Sequence, residues 1–505
     1  MIDLGSNSFR LVVFMAGEGW WKRTDEIYEP VRIGEGLAAS GRLGEKPIER
    51  ALATLDVFAH FCRAAGLENG SVDAVATSAI RDAENAAEFL AKARELTELP
   101  IRVLSREEEA RYGYLAAVDS TTLTSGCVLD LGGGSLQLVG VADRLARESG
   151  SWRLGTVRMS ERFLPPNGPA KRKQMEELRE HVARELEQAS WLAQTGRRLV
   201  GLGGTVRSLA TAAQRAAGLP SNGVQGMVIE RAALDELVER LAALPAAERS
   251  TIPGVKPARA DLILAGAIVV QGVLQAGGFD GLETTEAGLR EGVFFERLLD
   301  SRDPPLFENL RRTSVMNLAA RYNVDAAHTS HVAALALGMF DELARLGLNP
   351  GDGNERELLW AACMLHDIGM SVDYDDHHKH SRYLILNGGL PGFSPIEVAI
   401  IAQAARYHRK GMPDPGPLTA LFVPQDTERL NRCAVLLRLA EDLERSRDQL
   451  VRGVDLALLN GAPNGDEKVE LRVIADGEAA VPRWAASRET ELFARAFHHD
   501  LSVAA

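Results

Sequence analysis

Residues 3–13 read DLGSNSFRLVV, and residues 130–140 read DLGGGSLQLVG. Both follow the pattern D-L-G-x-x-S-x-x-L-V, offset by 127 residues from Asp3 to Asp130. In each copy a short strand ends on small polar residues and an apolar strand follows. Glycine and serine at the tip let backbone N–H groups approach an anion closely, with no side chain in the way. An aspartate beside such amides repels phosphate on its own. It makes sense when Mg²⁺ bridges carboxylate and phosphate. Two equivalent turns predict two walls of one cleft, with Asp3 and Asp130 positioning the metal. Ser6, Asn7, Ser8, Gly132, Gly133, Gly134 and Ser135 would hold phosphates.

The chain around these turns has 505 residues, too many for one ordinary domain. Apolar residues make up 46% and the net charge is −13. An acidic chain argues against general nucleic-acid binding, so an anionic ligand must meet a local basic patch. Residues 147–173 offer one, with Arg147, Arg153, Arg158, Arg162, Lys171, Arg172 and Lys173 against Glu148 and Glu161. Cys62, Cys127, Cys363 and Cys433 are far apart, as reduced thiols of a cytoplasmic protein would be. The longest apolar stretch, LILAGAIVV, is far short of a membrane span. Asp3 interrupts the first apolar run, and no basic region precedes it, so no signal peptide is expected.

Residues 1–117 read as α/β. FRLVVFM is a strand, Pro47 is the first residue of a helix running to about Gly66, VDAVATSAI is a buried strand, and SREEEARYGYLAAV is a helix. Residues 118–300 repeat the theme. There GLGGT, residues 201–205, opens a helix after a strand and makes Gly203, Gly204 and Thr205 a further anion wall. The Pro pair in SRDPPLF marks a boundary. Residues 306–450 are helical and carry seven of the eleven histidines, and residues 455–505 read as a small α+β cap.

DLGSNSFRL, ATSAIRDAEN, SREEEAR, DLGGGSLQLV, GLGGTVRSLA and GLREG occur in this order. Together they resemble the exopolyphosphatase / guanosine pentaphosphate phosphatase family. HDIG, HHKHSRYLILNGGLPGFS and ARYHRK extend the likeness to long members with a helical HD-type third domain. The resemblance implies a duplicated actin-like (ribonuclease H-like) fold over 1–117 and 118–300. It also implies a Mg²⁺-dependent hydrolase that releases orthophosphate from inorganic polyphosphate, in a cytoplasmic homodimer acting on neither nucleic acid nor membrane. The same chemistry on guanosine pentaphosphate is the nearest alternative, and a non-catalytic sensor of such phosphates is another. Ser105 and Glu108 have capping-box spacing. That leaves Glu109, which matches the family's catalytic glutamate, while Arg81 matches a phosphate-contacting arginine. His331, His366-Asp367 and Asp442 follow the H…HD…D order of HD phosphohydrolases and are the expected ligands of a second divalent metal. A domain retained for packing is the alternative. His377, His378, Lys379, His380 and residues 406–410 are expected to form an anion-facing surface.

Overall fold

The computed structural model describes residues 1–67, 69–165, 168–220, 223–459 and 468–504. They form two compact units, the first comprising Met1–Ala16 and Trp21–Leu310 and the second built on Arg311–Ala505.

The first unit holds two mixed sheets. One contains β1 (Ile2–Leu4), β2 (Phe9–Gly17), β3 (Trp20–Glu29), β4 (Ala74–Ala76) and β5 (Ile101–Val103), in the order β3-β2-β1-β4-β5. The other contains β6 (Gly126–Leu131), β7 (Leu136–Ala142), β8 (Leu145–Trp152), β9 (Leu199–Leu202), β10 (Val228–Glu230) and β11 (Gly281–Thr284). Its order, β8-β7-β6-β9-β11-β10, repeats the first and adds an edge strand. The registers repeat as well. Asp3 pairs with Arg10 and Leu4 with Phe9, while Asp130 pairs with Gln137 and Leu131 with Leu136. Each partner is offset by the same 127 residues, so the sequence repeat is a structural duplication, as an actin-like fold requires.

VDAVATSAI is not one strand. Only Ala74–Ala76 is extended, and the chain turns into a short helix at Ser78–Arg81. The polar pair Thr77-Ser78 ends the apolar run, and the Oγ of Ser78 lies 3.0 Å from that of Ser6. The expected boundary at 117/118 also shifts. The helix Arg106–Val118 packs Tyr112 and Leu115 against Val128, Val139 and Val200 of the second sheet. It also meets the helix Leu289–Leu298 so closely that a Cβ on Gly292 would stand 2.0 Å from the Tyr112 carbonyl oxygen. The apolar run LILAGAIVV caps and opens the helix Ile263–Gly277, which is buried on nearly every side in the second core.

In the second unit the chain is helical up to Leu443, starting with the helix Leu310–Arg321 that leads into it. β12 (Val451–Leu459), β13 (Lys468–Ala475) and β14 (Asp500–Val503) then form a three-stranded sheet. The expected separate cap over 455–505, of which 460–467 and 505 lie outside the described residues, has no core of its own. Val451, Leu456, Val469, Leu471 and Phe493 join Val332, Leu359 and Leu436 in one cluster. A sheet this small buries one face only by leaning on helices. Among the described residues no helix is long and apolar enough to cross a membrane.

Candidate functional site

The two repeated turns close with the same hydrogen bond. The Gly5 N–H donates to the Ser8 carbonyl at 3.2 Å, and the Gly132 N–H to the Ser135 carbonyl at 3.0 Å. They face one another across the first unit. A Cβ on Gly133 would stand 3.0 Å from the Cβ of Ser6, and one on Gly134 would stand 2.5 Å from the Oγ of Ser78. Only glycine permits so close an approach. Gly203, at φ +99°, brings the third turn up to the Leu131 carbonyl, where a side chain would collide at 2.7 Å.

Between the turns lies a polar cavity of about 130 Å³. Its lining includes Asp3, Ser6, Asn7, Ser8, Glu109, Asp130, Gly132, Gly133, Gly203 and Gly204 from the expected set. The helix Arg106–Val118 delivers Glu109. Its capping box forms as the spacing predicts, with the Ser105 Oγ accepting from the Glu108 N–H and the Glu108 carboxylate accepting from the Ser105 N–H. Glu108 is thereby held at the helix start, and Glu109, next along the helix, turns inward and is buried.

Gly134, Ser135, Thr205 and Arg81 are close by but do not line the cavity. Gly134 is occupied by packing against Ser6, Ser78 and Gly155, and Thr205 is buried against Gly266. Arg81 Nη1 donates to Glu109 Oε2 at 2.8 Å and to the Leu104 carbonyl at 3.0 Å. The Ser135 Oγ donates to Glu109 Oε1 at 3.3 Å. Both therefore hold the glutamate in place. Removing one partner of such a buried pair typically costs about 3–5 kcal/mol.

The electrostatics are divided. Burial raises the carboxyls of Asp3, Glu109 and Asp130 above the ordinary carboxylate range. Asp130 is pushed to about 7, by burial first and then by Glu109 and Asp3. Facing them in the same cavity are Arg10, Arg207, Arg259 and Arg290. Arg207 is lowered to about 10 by burial and by the other arginines. Crowded carboxylates and crowded guanidiniums thus share one small cavity. Oxygen donors of this kind suit Mg²⁺, and guanidinium forks suit phosphate oxygens. Sequence reading assigned no role to these arginines. Arg10, Arg207 and Arg290 do lie inside the quoted motifs; Arg259 lies in none and reaches the site only through the tertiary fold.

A second cavity, of about 720 Å³, shares Arg10, Gly204, Arg207 and Arg259 with the first. It adds Ser208, Thr211, Gln214, Arg215 and Lys256, with Glu26 and Glu286 as its acids. The basic run at 147–173 does not form a free patch. Arg153 and Arg158 pair with Asp82, Arg147 with Asp143, Arg172 with Glu176 and Lys173 with Glu177.

In the second unit the expected metal set is only half assembled. His366 and Asp367 lie together, joined by His328, in place of His331, and by Glu441, in place of Asp442. His331 is engaged elsewhere, its Nε2 2.9 Å from the Val451 carbonyl and 3.3 Å from Glu444. Asp442 points toward Arg445, and burial raises it to about 6. Asp442 is turned about 100° from Glu441 on its helix, whereas His331 shares the face of His328 one turn along and meets different neighbours. His377 and His408 are buried beside Asp367, and His378 is buried too, so these three are not part of an anion-facing surface. Lys379, Arg409 and Lys410 are exposed as expected.

A duplicated α/β fold with facing glycine turns, buried carboxylates and converging arginines defines a phosphate-handling protein. The Ppx/GppA phosphatase family model matches residues 13–301, and the model of that family's domain III matches 310–476. The chain belongs to the Ppx/GppA phosphatase family. The first unit is similar to the Aquifex aeolicus family member, at 30% identity and a TM-score of 0.51, over 60% of this chain and 97% of that one. A second structure, of the Aquifex aeolicus PPX-GPPA enzyme, matches at 32% identity and a TM-score of 0.50, over 58% and 97%. An exopolyphosphatase from Cytophaga hutchinsonii shares the fold at 22% identity and a TM-score of 0.55, over 59% and 96%.

Proposed function

We propose that the cleft of the first unit hydrolyses the terminal phosphoanhydride of inorganic polyphosphate, releasing orthophosphate. The observation that carries this reading is the placement of Glu109, a buried carboxylate fixed from behind by Arg81 and Ser135 and open to a cavity lined by four arginines. Glu109 accepts a proton from a water whose oxygen attacks the terminal phosphorus. The anhydride P–O bond breaks, and the shortened chain leaves. Burial raises the affinity of Glu109 for that proton, as suits a general base. Arg10, Arg207, Arg259 and Arg290 hold the phosphate oxygens, and the amides of the Gly132 and Gly203 turns close around them. Asp3 and Asp130 would hold Mg²⁺, which neutralises phosphate charge when bound.

Guanosine pentaphosphate is the second reading, favoured by the cavity of about 720 Å³ that continues from the cleft. Ser208, Thr211 and Gln214 offer polar groups there, while Arg215 and Lys256 serve a continuing phosphate chain equally well. Phosphate release from long polyphosphate and from guanosine pentaphosphate, measured side by side, separates the two. Faster release from polyphosphate is expected. Release from the nucleotide alone would transfer the reading to guanosine pentaphosphate, and release from neither would leave a phosphate sensor.

A further inference from the structure

We infer that the second unit carries a two-cation centre of its own. His328, His366, Asp367 and Glu441 would hold one divalent transition-metal ion, and Asp367, His377 and His408 the other. Five helix ends deliver these side chains. His328 lies in the first turn of Ala326–Arg345, and His366-Asp367 follows Gly353–Leu365. His377 opens His377–Gly388, His408 follows Pro395–Arg406, and Glu441 is in the last turn of Pro424–Leu443. All five histidine and aspartate ligands are buried.

The protons decide the argument. The Nδ1 atoms of His366, His377 and His408 lie 2.6, 2.8 and 2.7 Å from the carbonyl oxygens of Cys363, Tyr374 and Ala405. A carbonyl oxygen only accepts, so each Nδ1 carries the proton. In the neutral rings each Nε2 then presents a lone pair. These lone pairs converge on one another and on carboxylates. The Nε2 atoms of His377 and His408 are 3.1 Å apart. Asp367 Oδ1 is 3.3 Å from Nε2 of His377, 3.6 Å from that of His366 and 3.8 Å from that of His408. Glu441 Oε2 is 3.0 Å from Nε2 of His328 and 3.3 Å from that of His366. The His366 Nε2 is buried without a hydrogen-bond partner.

Acceptors pressed against acceptors repel, and a cation among them turns repulsion into coordination. The spacing fits, since metal–ligand bonds of about 2.1 Å in a tetrahedral site place neighbouring ligand atoms about 3.4 Å apart. A histidine ligand commonly donates its other ring N–H to a carbonyl, as three of the four do here, while the Nδ1 of His328 is buried without a partner. Arg447 occupies Asp367 Oδ2 at 2.7 Å, which leaves Oδ1 as the bridging atom. Imidazole-rich donors favour Fe, Ni, Cu or Zn over Mg²⁺. The rival account places extra protons on the imidazoles, with the carboxylates as their counter-ions and no metal.

Elemental analysis of the full chain purified without chelator, then after chelation and reconstitution with Co²⁺ alone, separates the two. About two equivalents per chain are expected, with the visible absorption of nitrogen-ligated Co²⁺. D367N should lose both ions, H366A the first and H408A the second, while H331A and D442N retain both. Far-UV circular dichroism checks that each variant is folded. Should H366A not fold, the Co²⁺-dependent rise in the melting temperature of the wild-type chain gives the same answer. One equivalent or less after reconstitution, no such rise, or metal lost from H331A and D442N but kept by H328A and E441Q, would overturn the proposal. Phosphate release from polyphosphate is read separately, so failure here leaves the function proposed for the cleft untouched.

Discussion

The cleft of the first unit and the histidine cluster of the second both gather buried ionisable groups, but they are assembled in opposite ways. In the cleft, backbone does most of the positioning. Two identical turns place Asp3 and Asp130 at equivalent registers, and glycine lets the walls approach until a small polar cavity remains. In the cluster no turn repeats. Side chains from five helix ends meet with donor atoms 3.0–3.8 Å apart. The first arrangement keeps space for a substrate, and the second keeps its donor atoms for one another.

The sharpest way to break this contrast is at Glu109. Glu109→Gln should leave the chain folded and substrate bound, and lower the turnover of phosphate release by about 10²–10⁴, the usual worth of a general base. Turnover within a factor of a few of the wild type would take the base role from Glu109 and leave the buried carboxylates of the cleft without a defined task.

Asp119 sharpens the comparison from within the same unit. Burial raises its carboxyl to about 7, although the Phe307 N–H and Arg144 oppose the shift. It lies outside the cleft lining. A native acid above its unfolded value binds more protons than the unfolded chain. Stability should therefore fall as pH rises from about 4 to about 7, by up to about 1.4 kcal/mol per pH unit. Asp119→Asn should flatten that slope in chemical unfolding while phosphate release persists. An unchanged slope would mean that Asp119 titrates normally.

The smallest effect belongs to Glu108. Glu108→Gln should cost at most about 1 kcal/mol of stability, as capping changes do, with turnover unchanged. If Glu108→Gln abolishes phosphate release, the division of labour between the neighbouring glutamates is reversed.

The same contrast explains what could be read in advance. The turn around Asp130 is legible because its Asp, Gly and Ser are consecutive and their roles are set by local backbone geometry. Glu109 is legible because its neighbour is committed to a cap. Arg259 is not, because nothing local distinguishes it from other surface arginines. In the helical unit the aspartate and histidine of HDIG are adjacent and were found. The choice of their partners, between His328 and His331 or between Glu441 and Asp442, is made by tertiary packing. For Arg81 the motif match located the residue, and its bond to Glu109 is legible only in the tertiary structure. The expected cap over 455–505 failed on the same ground, since strand periodicity does not say which surface covers the strand.

Central to the account is a divalent cation shared by the carboxylates of the two repeated turns. Phosphate release from long polyphosphate, followed as Mg²⁺ is titrated into chelator-treated wild type and Asp130→Asn, tests it most directly. The account predicts no release without Mg²⁺ in the wild type. In the variant it predicts a large rise in the Mg²⁺ needed for half-maximal release, because a neutral amide is the poorer ligand. Release that persists in chelator, or a variant with the Mg²⁺ dependence of the wild type, would contradict it.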